Sequence, residues 1–398
     1  MRNAPRTTLA LLLGATACAP AQHMEVRAPI GECAGAGQPA VAWARPSADG
    51  EQAKLDAWCD AAGTPVIREA ASTVAAADAA PGRGGASGAT GAAEGGPGPD
   101  EPTVAAPATR LTVATWNVHV GSGELVRFVE ERLGHRCDAG ASASVAEPFV
   151  LLVQEAHRVS DALPPIPRDV PLPSRIEDPP ANGARIDVIE AARRCGLSLF
   201  YAPSMRNGAE DSDQVPEDRG NAILASVPLS DFAAIELPLE TQRRVAVTAL
   251  AHPPGRPAVR VVSFHLDVAA SLLRVLTTGN GTRYLQGMGL VRGLEALEAG
   301  DATVPAATVI GGDVNTWSEK ETVIRHLVER FPESPTPTDE GTRGPFPTDH
   351  LFVRAAPGSG ISVAEGSYRV IPDEYSSDHR ARMLTLQFGA TTEGARAE

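Results

Sequence analysis

The run TVIGGDVNTWSEK, residues 308–320, is an apolar, strand-like stretch that breaks at two glycines and then presents Asp313 and Asn315. A carboxylate beside an amide can take a proton from water and orient it for attack. Other short polar side chains stand where further apolar runs stop. Asn117 follows TVATW, Glu155 follows FVLLVQ, and His265 follows VRVVSF. Asp349 and His350 precede LFV, and Asp378 and His379 precede RMLTL. One such Asn or Asp usually serves a turn, and one such His usually fills a hydrogen-bonded niche. The set together points elsewhere. Glu155, Asp378 and the Asn117 amide are hard oxygen donors that suit Mg²⁺, Mn²⁺ or Ca²⁺ rather than zinc. An ion of that kind neutralises a phosphate oxygen and stabilises a leaving alkoxide. Histidines beside it can donate hydrogen bonds or a proton to the transition state, and a second carboxylate such as Asp349 can fix one of them.

The order of the motifs is more specific than any one of them. TWNVH, LVQEAH, GNAILAS, SFHLD, GGDVNT, TDHLF and SSDHR follow one another between residues 110 and 388. In this order they resemble the endonuclease/exonuclease/phosphatase (deoxyribonuclease I-like) superfamily. That family includes pancreatic deoxyribonuclease, abasic-site endonucleases, neutral sphingomyelinases and inositol polyphosphate phosphatases. The resemblance implies a four-layer α/β sandwich, two mixed β-sheets face to face with helices outside. It implies Glu155 as the main metal ligand, with Asn117 and Asp378 nearby. Asp313 and Asn315 would activate or position water and contact the scissile phosphate. His379 would be oriented by Asp349, and His265 would stabilise or protonate the phosphate. The general base stays open between Asp313 and His379. Departures from the family pattern are Val314 in GDVN, Ser263 and Phe264 ahead of His265, and His157 where an arginine is expected. Glu217 or Asp218 is the expected carboxylate partner of His265.

The elements that must hold these residues alternate in texture. RLTVATWNVHV, FVLLVQEA, LSLFYAPS, NAILAS, AAIELPL, RRVAVTALA and VRVVSFHLD read as strands. GELVRFVEERLG, RIDVIEAARRCG, TRYLQGMGLVRGLEALEAG and SEKETVIRHLVERF read as helices, the third closed by Gly300 as a C-cap. Many strands in succession fit two packed sheets better than a strict βαβ alternation.

The chain has 398 residues, enough for one large domain plus extensions. The first residues, MRNAPRTTLALLLGATAC, carry Arg2 and Arg6, a short apolar core and small residues before Cys18. They read as a signal peptide over 1–18, resembling a lipoprotein leader with a lipid on Cys18 as a membrane anchor. Export to the bacterial cell envelope, lipid-anchored or secreted, is expected. Residues 19–70 form a small Cys-containing segment. The Ala/Gly/Pro-rich stretch 71–109 reads as a flexible linker. Residues 110–390 form the catalytic domain and 391–398 a disordered tail. Cys33, Cys59, Cys137 and Cys195 remain, an even number suited to two disulfides in an exported protein. Sequence proximity favours Cys33–Cys59 and Cys137–Cys195, though three pairings are open.

A net charge of −14 argues against a broad basic surface for nucleic acid, but a metal site can supply local positive charge. Arg158, Arg219, Arg243, Arg244 and Arg283 are candidate phosphate-binding residues, and specificity is expected from loops 160–182, 208–219 and 268–282. The expected activity is a metal-dependent phosphodiesterase, first a nuclease acting on DNA or RNA, hydrolysing a phosphoester by in-line attack of water. The alternatives are a phosphomonoesterase or sphingomyelinase-like phospholipase on the same scaffold, or a non-catalytic binding module. No protein partner is expected, and the chain is expected to be a monomer.

Overall fold

A computed structural model of the chain describes residues 23–27, 31–35, 40–47, 49–70, 106–137, 147–165, 174–177, 183–208, 215–268, 281–300 and 303–389. The expected leader with Cys18, nearly all of the linker, and the C-terminal tail lie outside these residues.

In chain order the elements are β1 (Met24–Arg27), β2 (Ala42–Pro46), α1 (Asp49–Ala61), β3 (Val66–Arg68), β4 (Arg110–Asn117), α2 (Leu125–Arg132) and β5 (Phe149–Val159). There follow β6 (Arg175–Ile176), α3 (Val188–Arg194), β7 (Ser198–Asn207), β8 (Glu217–Ala225), β9 (Leu229–Glu236), β10 (Val245–Ala251) and β11 (Val259–His265). The last group is α4 (Thr282–Glu298), β12 (Ala307–Asp313), α5 (Thr322–Arg330), β13 (Asp349–Ala355), β14 (Ile361–Val363), β15 (Arg369–Val370) and β16 (Arg382–Phe388).

One sheet runs β1-β2-β9-β10-β11-β12-β13; the other runs β14-β16-β4-β5-β8-β7-β3, with β15 on β16 and β6 on β7. Side chains alternate across each strand, so every strand serves two layers. Val113, Val150 and Phe200 of one sheet meet Val247, Val261 and Val309 of the other in the central core. On the outer face of the second sheet, Trp116, Leu151 and Tyr201 pack with Phe128 of α2 and Ala191 of α3. On the outer face of the first, Phe264, Ile310 and Phe352 pack with Leu290 of α4 and Ile324 of α5. The four-layer sandwich expected from the motifs is the fold.

The N-terminal segment is woven into both sheets. β2 runs parallel to β9, with Trp43 opposite Ala234, and β3 runs antiparallel to β7, with Ile67 opposite Phe200. Two disulfides join Cys33 to Cys59 and Cys137 to Cys195, the pairing that proximity favoured. Around the first, Arg243 forms a buried ion pair with Glu236 at 2.8 Å and donates to the Ser204 carbonyl at 3.0 Å. A buried charge is tolerable only when paired in this way. Arg243 is therefore structural and not a phosphate ligand. The same holds for Arg158, which is buried against Asp218, with Tyr201 Oη donating to that carboxylate at 2.7 Å.

The strand at 307–313 does not break at its glycines. β12 passes straight through Gly311 and Gly312 to Asp313. A Cβ at Gly311 would lie 2.6 Å from Leu351 Cδ2 and 2.8 Å from Leu152 Cδ1; one at Gly312 would lie 1.9 Å from the Phe264 carbonyl oxygen. Gly311 is there because the opposite sheet comes close at this point, with Leu152 and Thr115 across from it, and Gly312 because the β11 backbone of its own sheet leaves no room for a Cβ.

Candidate active site

The strand alternation that places Val309 and Gly311 between the sheets places Asp313 there too. The register pairs His265 of β11 with Asp313 of β12, and Asp313 with Asp349 of β13. Three chemically competent side chains thus form one cross-strand row at the end of the first sheet. β4 of the opposite sheet ends at Asn117, beside Gln154 of β5. The close approach of the sheets that Gly311 permits lets Asn117 Nδ2 donate to Asp313 Oδ2 at 3.0 Å.

Asp313 is held from several sides. The Asn315 backbone N–H donates to Asp313 Oδ1 at 2.8 Å. His265 Nε2 lies 3.4 Å from Asp313 Oδ2, and His379 Nε2 lies 3.8 Å from it. Asn315 sits at φ 56°, a left-handed conformation that asparagine tolerates better than most residues. Its Nδ2 donates to the Leu266 carbonyl at 2.8 Å and faces His265 Nε2 at 3.1 Å. His379 Nδ1 donates to Asp349 Oδ2 at 2.8 Å, which fixes the orientation of this ring. Asp349 also accepts from Thr348 Oγ1 at 2.9 Å.

The partners expected for His265 are elsewhere. Glu217 pairs with Arg185 at 2.9 Å, and Asp218 is engaged by Arg158. Both are residues of strand β8, not of a loop; of the acidic stretch 208–219, residues 209–214 lie outside the described part. His157 is buried, and its Nδ1 meets the Ile186 carbonyl at 3.0 Å, so it does not reach toward a ligand.

Glu155 owes its position to a bulge. The pairing of β5 with β8 shifts register between Val153 and Ala156, and Glu155 has φ 52°. Non-glycine residues in that region are held there by their surroundings. Burial pushes the Glu155 carboxyl up, but Arg219, Arg244, His379 and His119 outweigh it and hold the group below its ordinary value. Arg219 Nη1 is 3.7 Å away, and Arg244 is itself fixed by Asp267 at 3.0 Å. Asp378 is one-third exposed and pairs with Arg343 at 2.8 Å and His119 at 3.8 Å.

The remaining ionisations separate sharply. Burial, then Asp349, pushes Asp313 up to about 6, against the pull of His379 and the Asn117 and Asn315 donors. Burial would strip His379 of its proton, but Asp349 and Asp313 reverse this and raise it to about 10. His265 lies well below its ordinary value, because burial is reinforced by Arg244, His379 and Arg219. One histidine is charged and the other neutral.

No family description matches the chain, and no curated protein matches it. Solved structures do. An endonuclease/exonuclease/phosphatase from Beutenbergia cavernae DSM 12333 aligns over 71% of this chain and 72% of its own, at 18% identity and TM-score 0.47. The human Nocturnin catalytic domain aligns over 71% and 96%, at 16% identity and TM-score 0.44. Sphingomyelinase C from Streptomyces griseocarneus aligns over 69% and 99%, at 15% identity and TM-score 0.38. The first of these carries the family name to which the sequence motifs pointed. At such identities and scores the likenesses lend no residue its role.

Two groups can be weighed for a cation. Asp313, Asp349 and His379 offer ligand atoms within 4.8 Å of one another. His379, raised to about 10 by Asp349 and Asp313, would have to give up its proton to ligate an ion there. Glu155, Asn117 and Asp378 offer only oxygen donors, and Glu155 is kept ionised by its surroundings. This second set fits a hard divalent ion better.

Sequence reasoning missed the supports. Thr342 Oγ1 accepts from the Asp349 N–H at 3.0 Å, and Ser377 Oγ donates to the Asn117 carbonyl at 2.7 Å while accepting from the His379 N–H at 3.1 Å. Ser263, a departure from the family pattern, bridges the Gln154 side chain at 3.0 Å and the Val153 carbonyl at 2.9 Å. Thr348 and Ser377 stand close to Asp349 and His379 in the sequence and could have hinted at this; Thr342, seven residues from Asp349, could not.

Proposed function

We propose that the protein is a metal-dependent phosphodiesterase that hydrolyses a phosphoester by in-line attack of water, with nucleic acid as its first candidate substrate. What supports this reading is the convergence on Asp313, within 3.8 Å, of Asn117 and His265 from the ends of two other strands, of His379 from the turn before β16, and of the Asn315 backbone N–H from the turn after β12.

Asp313, at about 6, is largely ionised at neutral pH and can accept a proton. His379 already holds one and cannot be the base there. The proton of the attacking water goes to Asp313 as its oxygen bonds to phosphorus and the leaving P–O bond breaks; the leaving oxygen departs as an alkoxide and takes its proton from solvent. His379, held by Asp349, turns a cationic Nε2–H toward the charge that develops on the phosphate. His265 stays neutral and contributes hydrogen bonding, not a proton. Glu155, with Asn117 and Asp378, would hold a divalent ion, which would supply Lewis-acid neutralisation of a phosphate oxygen. Arg219 and Arg244 add positive charge near Glu155.

Export is part of the proposal. The two disulfides favour an oxidising compartment, in keeping with the leader read from residues 1–18.

Hydrolysis of bis(p-nitrophenyl) phosphate and of plasmid DNA, with and without EDTA, tests the reading. EDTA-sensitive turnover that falls by roughly a hundred-fold or more in Asp313→Asn supports it. Turnover that ignores both chelator and substitution overturns it. Sphingomyelin and inositol phosphates assayed alongside separate the diesterase from a phospholipase or a phosphomonoesterase.

A further inference from the structure

Next to Asn315 a cavity of about 380 Å³ opens between Val268, Arg283, Trp317, Arg343, Phe346 and Thr348. Its lining is mainly apolar, and two large aromatic side chains face it in the open. Trp317 is 57% exposed and Phe346 45%, whereas Trp43, Trp58 and Trp116 are all buried. Exposure of an indole beside a site built from charged and amide groups calls for a ligand.

The backbone at both aromatics is pinned. The Trp317 backbone N–H donates to Glu321 Oε1 at 2.7 Å, and Glu321 Oε2 meets Arg283 at 2.5 Å. Arg283 Nη1 donates to the Asn315 carbonyl at 2.8 Å, and its guanidinium lies 5.5 Å from the centre of the Trp317 ring. The same cation therefore ties the indole to the residue beside the expected phosphate. Phe346 is held by paired backbone bonds with Arg343, its N–H to the Arg343 carbonyl at 3.0 Å and the Arg343 N–H to its own carbonyl at 3.1 Å. That turn continues into Thr348, which supports Asp349. The backbone that carries each ring is fixed, and Arg283 lies against the indole, which lowers the entropic cost to a ligand.

Resting on the phosphodiesterase reading, we propose that Trp317 and Phe346 form a stacking subsite for a nucleobase on the nucleotide whose phosphate is cleaved. A flat ring can lie against an indole held in this way, and its phosphate would fall toward Asn315. A cavity of this size takes one ring system with its sugar. Two acyl chains would need a continuous apolar surface, which the guanidinium groups of Arg283 and Arg343 interrupt. Stacking of this kind tolerates any base, since each presents a π-face. Trp317 and Phe346 are thus specificity residues and take no part in the proton transfers.

Trp317 reports on its own ligand, because the other three tryptophans of the chain are buried. The full chain in EDTA, where no turnover occurs, is titrated with adenosine 5′-monophosphate, ribose 5-phosphate and inorganic phosphate while emission is followed. Quenching by the nucleotide alone, lost in Trp317→Ala, is expected. With metal, W317A and F346A are each expected to lower kcat/KM for thymidine 5′-(p-nitrophenyl) phosphate roughly ten-fold. Neither is expected to change it for methyl p-nitrophenyl phosphate, which has no base. Equal losses on both substrates, or quenching by ribose 5-phosphate as strong as by the nucleotide, overturn the subsite. So does stronger quenching by lysophosphatidylcholine micelles, which would assign the cavity to a lipid. If the unmodified chain quenches with nucleotide yet cleaves no diester, the catalytic reading fails and the subsite stands.

Discussion

Asp313 accepts hydrogen bonds at both of its carboxylate oxygens and still lies within reach of two imidazoles. A carboxylate so placed would be fully ionised in water. Here burial and the neighbouring Asp349 charge raise its titration to about 6, so that it is ionised at neutral pH yet basic enough to take a proton. Its usefulness depends on His379 remaining charged, which in turn depends on Asp349. Asp349→Asn is therefore expected to lower kcat by 10²–10³, on the order of the loss for a group that orients a proton donor, with little change in KM. Steady-state kinetics on a diester separate the two parameters. Glu155→Gln keeps the shape of its side chain but removes the charge that Arg219 and Arg244 maintain. Isothermal titration with Mg²⁺ or Mn²⁺ is expected to show binding by the unmodified protein and none by this variant, while the thermal midpoint stays within a few degrees.

At the scale of elements, the site depends on how closely two sheets approach. Gly311 of β12 is the narrowest point, with Leu152 and Thr115 of the opposite sheet across from it. Gly311→Val would push the sheets apart and lengthen the bond from Asn117 to Asp313. Overpacking of this kind costs about 1–3 kcal/mol, to be read from urea denaturation, and activity should fall further than stability alone explains. The sequence marked this strand correctly by its apolar run and its terminal Asp, but read the glycines as a break. Period-two patterning says which face a residue takes; it does not say that another sheet lies too near for a Cβ. Glu155 carries the same lesson. The run FVLLVQEA announced a strand, whereas the bulge that turns Glu155 exists only in its pairing with β8.

For the whole molecule, the segment before residue 70 covers edges. β2 lies against β9, and β3 lies against β7, so a chain begun near residue 106 would expose one strand edge on each sheet. Compared with a chain begun at residue 23, it is expected to unfold at lower temperature and to aggregate at equal concentration, as light scattering during a thermal melt would show. A second global prediction concerns acid. His350 is fully buried, and burial with the nearby Arg382 charge lowers it to about 3, although Asp349 and the Pro347 carbonyl pull the other way. Thr316 Oγ1 and the Phe352 ring also pack on it. The unfolded chain takes up a proton on this imidazole near pH 6.5, and the folded chain resists until about 3. Stability is therefore lost as pH falls below 6.5, by about 1.4 kcal/mol per unit from this group. Urea midpoints at pH 7.5 and 5.0 are expected to differ less in His350→Gln than in the unmodified chain.

The sequence by itself determined the strand and helix texture, the ordered polar residues at the strand ends, and the favoured disulfide pairing. These are local, because apolar periodicity and proximity along the chain act within short spans. Which residues face one another was decided only by the tertiary structure. The row His265–Asp313–Asp349 follows from register between strands far apart in sequence. Glu217, Asp218, Arg158 and Arg243 were equally plausible site residues as letters, and folding placed them in buried pairs elsewhere. Charge on a side chain is written in the sequence, but its partner and its distance from water belong to the packed sheets.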